Sequence, residues 1–164
     1  MPRGVSSLNT VIEVPGRTGR IPTLSVDHVA YNVPDLEAAL TFFSVAFGCE
    51  LVSRNGPVDY GRGLSVTAAL VRYDPRHSFE LLEWRGPDVP STVAGFTDPG
   101  AGHLCFAVAD LESSLAAVRT LLWVAPEPPR KIADGSQFSR FTTPWGLTIQ
   151  LLTESADQTD SATR

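Results

Sequence analysis

A thirteen-residue segment occurs twice in this chain. His28-Val29-Ala30-Tyr31-Asn32-Val33-Pro34-Asp35-Leu36-Glu37-Ala38-Ala39-Leu40 returns as His103-Leu104-Cys105-Phe106-Ala107-Val108-Ala109-Asp110-Leu111-Glu112-Ser113-Ser114-Leu115. The offset is constant (103 − 28 = 75), and six of the thirteen paired positions are identical. Average amino-acid usage gives about one chance identity over that length. A shorter echo follows each copy, Phe79-Glu80-Leu81-Leu82 and then Ile149-Gln150-Leu151-Leu152. A chain built this way folds as two like modules. Each module brings one histidine and one later polar partner: His28 with Glu80, and His103 with Gln150.

The periodicities give each module the same order of elements. Val26 to Val33 reads as a strand, and Asp35 is placed to cap a helix by accepting an orphan N–H. Leu36, Leu40, Phe43 and Phe47 form a stripe at helical period, and Gly48 stops it. Strands are expected at Glu50 to Arg54, Leu64 to Tyr73 and Ser78 to Trp84, with turns at Gly56-Pro57 and Asp74-Pro75. The second pass has a strand from His103 to Val108, a cap at Asp110 and a stripe of Leu111, Leu115, Val118 and Leu122. Three strands follow, at Val124 to Ala125, Phe138 to Thr142 and Leu147 to Thr153. Pro126, Pro128 and Pro129 restrict the first of these to a short edge strand. The expected organisation is an N-terminal tail (1–22), a first module (23–85), a linker (86–100), a second module (101–154) and a C-terminal tail (155–164). The fold class is α+β: two tandem βαβββ modules pair their sheets into a curved, eight-stranded cup with the helices outside. Neither module alone can bury both faces of its sheet.

Composition narrows the partners. The chain has 164 residues, 43% hydrophobic and 19% charged, the balance of a water-soluble globular protein. A net charge of −5 disfavours nucleic acid, which wants a basic surface. No run reaches the ~20 apolar residues of a membrane span, and no apolar stretch of a signal peptide follows Arg3. Two cysteines, Cys49 and Cys105, are too few and too far apart for a disulfide framework, and are expected to be reduced and buried. A cytoplasmic protein with a small-molecule substrate is the expectation.

Side chains on a strand alternate faces. His28, Ala30 and Asn32 therefore share a face, as do His103, Cys105 and Ala107. Glu80, Leu82 and Trp84 share another, with Phe79 and Leu81 opposite, and Gln150 shares its face with Leu152. The mixed faces are assigned to the inside of the cup and the apolar faces to helix packing. Over about 25 to 153, the chain resembles the vicinal oxygen chelate superfamily, which includes glyoxalase I, methylmalonyl-CoA epimerase, extradiol dioxygenases and the bleomycin and fosfomycin resistance proteins. The resemblance is carried by Val26-Asp27-His28-Val29-Ala30-Tyr31-Asn32-Val33-Pro34-Asp35-Leu36, Phe79-Glu80-Leu81-Leu82-Glu83, Gly102-His103-Leu104-Cys105-Phe106-Ala107-Val108 and Thr143-Pro144-Trp145-Gly146-Leu147-Thr148-Ile149-Gln150-Leu151.

That resemblance implies one divalent metal ion (Zn, Ni, Co, Mn or Fe) held by His28, Glu80, His103 and Gln150, and a homodimer. It implies a lyase or isomerase in which the ion acts as a Lewis acid beside a carbonyl while a carboxylate moves a proton. The chain departs from the pattern at Gln150, where related isomerases usually carry a glutamate that acts as base. An amide cannot take a proton at neutral pH, so the catalytic base is assigned to Glu80. The near two-fold symmetry puts Glu80 on the opposite side of the metal from that usual base. Glu83 is a weaker candidate because it faces the other way on an unbroken strand. The expected pocket is completed by Asn32, Leu82, Trp84, Cys105, Leu152 and Arg140. Arg54, Arg62 and Arg140 are candidates to clamp an anionic group, against a default of solvated surface. His77 is expected to be exposed. Two other functions compete with the isomerase: a metal-free protein that sequesters small molecules, and a ring-cleaving dioxygenase using His28, His103 and Glu80 as a facial triad.

Overall fold

A computed structural model describes residues 25–90, 95–98, 100–122 and 124–153. The two expected tails lie outside the described residues. The first module runs β1 (Val29–Asn32), α1 (Leu36–Phe47), β2 (Glu50–Gly61), β3 (Leu64–Asp74) and β4 (His77–Arg85). The second runs β5 (His103–Val108), α2 (Leu111–Leu122), β6 (Arg130–Lys131), β7 (Gln137–Thr142) and β8 (Thr148–Thr153). The eight strands are divided equally between two sheets, ordered β1-β4-β3-β2 and β5-β8-β7-β6. In each sheet the first strand pairs parallel with the last, and the other pairs are antiparallel. The repeat thus becomes two identical topologies, the α+β architecture expected of a glyoxalase-like cup.

Local chemistry sets the helix ends. Asp35 has extended backbone (φ −145°, ψ 111°) and its carboxylate accepts the Ala38 N–H at 2.9 Å. Gly48 ends α1 in the left-handed region (φ 66°), where its N–H reaches the Ser44 carbonyl and the Cys49 N–H reaches that of Phe43. Asp110 repeats the cap on α2, accepting the Ser113 N–H at 2.6 Å. Its carboxyl is held below the usual range by the bonds from Ser113.

The core lies on the helix side of both sheets. Leu36, Ala39 and Phe43 of α1 meet Ala69, Val71, Phe79 and Leu81, while Leu111, Leu115 and Val118 of α2 meet Phe106, Phe141, Ile149 and Leu151. The two halves join across this side. Phe47 stacks on Phe106 with centroids 4.1 Å apart, and Phe42 meets Trp145 edge-on at 5.1 Å. Tyr73 of β3 also packs on Phe106, at 5.0 Å. The opposite faces, bearing Glu80 and Gln150, are left free of helices.

Two expectations are corrected. Gly56-Pro57 does not turn the chain: β2 runs through it to Gly61, and the pairing with β3 slips by bulges on the way. Gly56 (φ 105°) approaches β3 so closely that an added Cβ would stand 2.6 Å from the Val66 carbonyl oxygen. The glycine and proline that resemble a turn signal are therefore a bulge inside a long strand. The short strand expected at Val124 to Ala125 falls instead at Arg130–Lys131, beyond Pro126, Pro128 and Pro129. Proline has no N–H for a ladder, so pairing resumes only where the prolines end.

Candidate metal and substrate site

Strand pairing aligns the two halves residue by residue. Ala30, Glu80 and Leu70 form one row across β1, β4 and β3. Cys105, Gln150 and Arg140 form the corresponding row across β5, β8 and β7. The offsets are those of the repeat (105 − 30 = 75; 150 − 80 = 70; 140 − 70 = 70). Along β4, Phe79, Leu81 and Glu83 are buried, whereas Glu80, Leu82 and Trp84 are half-buried. The alternation read from the sequence therefore holds.

In the first half, His28 stands at the mouth of β1 with Nε2 3.4 Å from Glu80 Oε2. Its Nδ1 lies 2.6 Å from Asp27 Oδ1. That bond holds the ring so that Nε2 faces Glu80, the arrangement by which carboxylates orient metal-binding histidines. The Asp27 hydrogen bond raises the His28 pKa, the charge of Glu80 adds to the rise, and partial burial opposes it. Farther along the same face, Trp84 Nε1 donates to Asn32 Oδ1 at 3.0 Å, and the Tyr60 ring meets Trp84 edge-on at 5.2 Å.

The second half is built differently. Arg140 Nε donates to Gln150 Oε1 at 3.1 Å, and the Gln150 amide N–H reaches Cys105 Sγ at 3.6 Å. The Arg140 guanidinium carbon lies 4.7 Å from the Phe96 ring centre and 5.0 Å from that of Phe138. Phe96 also flanks His103, with ring centres 6.0 Å apart. Cys105, expected to be buried like Cys49, is instead exposed on this open face; partial desolvation of its thiol raises the pKa against a smaller lowering by the Gln150 bond. Leu152 is half-buried on the face of Gln150.

His28 and Glu80 are thus in contact, and Cys105, Gln150 and Arg140 are in contact. Among the described residues of one chain, no three His, Cys, Asp or Glu side chains gather at a spacing that could hold a metal ion. The edge strands β1 and β5, which carry or adjoin the two histidines, each have one unpaired side. The donor chemistry of His28, Glu80 and His103 suits a divalent ion of the transition series. Gln150 fits less well, because its amide oxygen already accepts from a cation. The rest of the candidates are accounted for elsewhere. Glu83 is 7% exposed on the helix side and bound to Arg85 at 2.5 Å. Arg54 pairs with Glu37 of α1, His77 pairs with Asp74 at the β3–β4 turn, and Arg62 occupies the β2–β3 turn with φ 55°.

Three contributors are not among the residues singled out from the sequence. Asp27 was readable as a carboxylate adjoining a candidate ligand. Tyr60 reaches the face only because β2 continues past its bulge. Phe96 belongs to the linker, where no periodicity points to a site.

Two βαβββ modules in tandem, each with a histidine by its first strand and a polar partner on its last, define a class of small-molecule enzymes and binding proteins. The chain belongs to the glyoxalase/bleomycin resistance protein/dioxygenase superfamily, whose family model matches residues 25–151. It is 34% identical over 152 residues to a 2-epi-5-epi-valiolone epimerase from Actinomyces sp., covering 82% of this chain and 83% of that one. An ethylmalonyl-CoA/methylmalonyl-CoA epimerase from Cereibacter sphaeroides is 34% identical over 90 residues, 52% of this chain and 62% of the relative. The structure of a trypanothione-dependent glyoxalase I from Leishmania major superposes with a TM-score of 0.62 at 20% identity, covering 85% of this chain and 94% of that one. The two epimerase relatives support an isomerase of the superfamily, and the glyoxalase I structure supports the fold. No helix of the described residues is long and apolar enough to cross a membrane.

Proposed function

We propose that the protein is a metal-dependent epimerase of a small hydroxylated ketone, inverting a carbon next to the carbonyl. The observation that carries this is the His28–Glu80 pair, with Nε2 and Oε2 3.4 Å apart and the ring fixed from behind by Asp27. The Actinomyces relative supports the reaction class, and its name supports a ketone of the valiolone type.

His28, Glu80 and His103 are the residues that would hold the ion, and when bound it polarises the carbonyl and acidifies the neighbouring C–H. Glu80 takes that proton as general base. The row equivalent to Glu80 in the second half has no carboxylate, only Cys105, Gln150 and Arg140. Return of a proton to the opposite face therefore draws on water, and that return inverts the centre. Asn32 and Trp84, locked to each other, wall one end of the face. Leu82 and Leu152 supply its apolar middle.

The half-sites lie on separate sheets, so the complete site forms between two copies of the chain. The first sheet of one copy lies beside the second sheet of its partner, through the unpaired sides of β1 and β5. A two-fold dimer formed this way closes two equivalent sites and leaves no half-site unused. The test is incubation of the metal-loaded protein with 2-epi-5-epi-valiolone in D2O. Inversion with one deuterium at the inverted carbon is expected. Absence of turnover from fully metal-loaded protein contradicts this substrate class, and purified protein devoid of metal that binds small molecules tightly favours the sequestration function instead.

A further inference from the structure

The row that answers Glu80 in the second half holds a cation, and nothing described in the chain neutralises it. Arg54, Arg72, Arg85 and Arg130 each pair with a carboxylate. Arg140 pairs with none among the described residues, although it is half-buried. It is held instead by neutral groups: Nε–H by Gln150 Oε1 at 3.1 Å, and the guanidinium plane by the rings of Phe96 and Phe138. A guanidinium has five N–H donors in a fixed fork. One is committed to Gln150, and that bond together with the two rings sets the direction of the rest. A fixed, partly desolvated cation without a counter-ion is prepared for an anionic oxygen.

Position in the repeat gives that oxygen a role. The pseudo-symmetry makes Ala30-Glu80-Leu70 equivalent to Cys105-Gln150-Arg140, a carboxylate flanked by two apolar residues against an amide flanked by a thiol and a cation, with Arg140 at the place of Leu70. Removal of a proton next to a carbonyl moves the C–H electron pair onto the carbonyl oxygen while the proton goes to Glu80. Negative charge then grows on an oxygen, and the second half-site supplies a positive group. A cation bonded to the Gln150 oxygen also repels a metal ion there.

We infer that Arg140 is the catalytic residue that binds the oxyanion developing on the substrate, and that Gln150 is a positioning residue for Arg140 rather than a metal ligand. This rests on the proton-abstraction chemistry proposed above, but not on the identity of the ketone. Oxalate, a planar anion with paired oxygens, serves as the probe. Full-length protein labelled with [15N]arginine is titrated with oxalate, both as purified and after dialysis against EDTA, with bound metal measured in each sample. One Nε–Hε resonance, missing in Arg140→Lys, should shift with oxalate in both preparations. Arg140→Gln should weaken oxalate binding at least about tenfold while metal content matches wild type. Gln150→Ala should move the Arg140 resonance without oxalate and weaken oxalate binding, again with metal retained. Oxalate binding by the EDTA-treated protein through Arg140 upholds the inference even where the wild type carries no metal. Unchanged oxalate affinity in folded Arg140→Gln and Arg140→Lys overturns it. So does loss of metal in Gln150→Ala, which would return Gln150 to the ligand set.

Discussion

At the scale of single residues, Glu80 and Asp27 do different work on one histidine. Glu80→Gln keeps shape and hydrogen bonding but removes the basic oxygen, so turnover should fall about 10²- to 10⁴-fold while a substrate analogue still binds. Steady-state kinetics with a parallel binding titration checks this. Asp27→Asn leaves Nε2 in place but loosens its aim, and metal affinity measured by competition with a chromophoric chelator should fall about tenfold. Glu80 and its unequal partner Gln150 were legible in the sequence, because the echo after each repeat aligns them. The occupation of Gln150 by Arg140 was not. It depends on β7 lying beside β8 in a register that places residues ten apart side by side, and no local pattern states that register.

At the scale of elements, the helices and the last strand of each module were plain from period and caps. Asp35→Ala should lower stability by about 1 kcal/mol through the lost cap on α1. Phe43→Ala, at a residue with no exposed surface that packs on Phe79, should cost about 3 to 5 kcal/mol in denaturant unfolding. The β3–β4 turn adds a pH dependence. Asp74 accepts from the His77 ring and from the Arg76 and His77 backbone N–H groups, and the His77 bond leads in holding its carboxyl below the usual range. A depressed carboxyl stabilises the fold above its unfolded-state pKa and loses that contribution as pH falls through its folded-state value. Thermal melts should therefore place Asp74→Asn below the parent near pH 6, with the gap closing as the pH is taken down through the acid range. What the period did not reveal was the length of β2. Gly56-Pro57 has turn composition, and only the close approach of Gly56 to Val66 shows it to be a bulge.

At the scale of the whole molecule, duplication produces two clusters on separate sheets, His28 with Glu80 and Cys105 with Gln150 and Arg140, which the proposed function reads as half-sites. The helix-side core joins the modules through Phe47, Phe106, Phe42 and Trp145, and it leaves the faces of Glu80 and Gln150 turned to whatever covers them. In the proposed dimer a second copy would cover both faces, and the exposed Tyr60, packed on Trp84 of the Glu80 face, would give that contact apolar surface. The sharing of a site between copies is measurable directly. Glu80→Ala breaks the first half-site and His103→Ala the second, so neither variant alone should bind metal stoichiometrically. Unfolded together and refolded as an equal mixture, random pairing makes about half the dimers mixed, and each mixed dimer regains one intact site. Metal binding should then return to about a quarter of the wild-type value per chain. A mixture that stays as empty as its two components contradicts a site shared between chains.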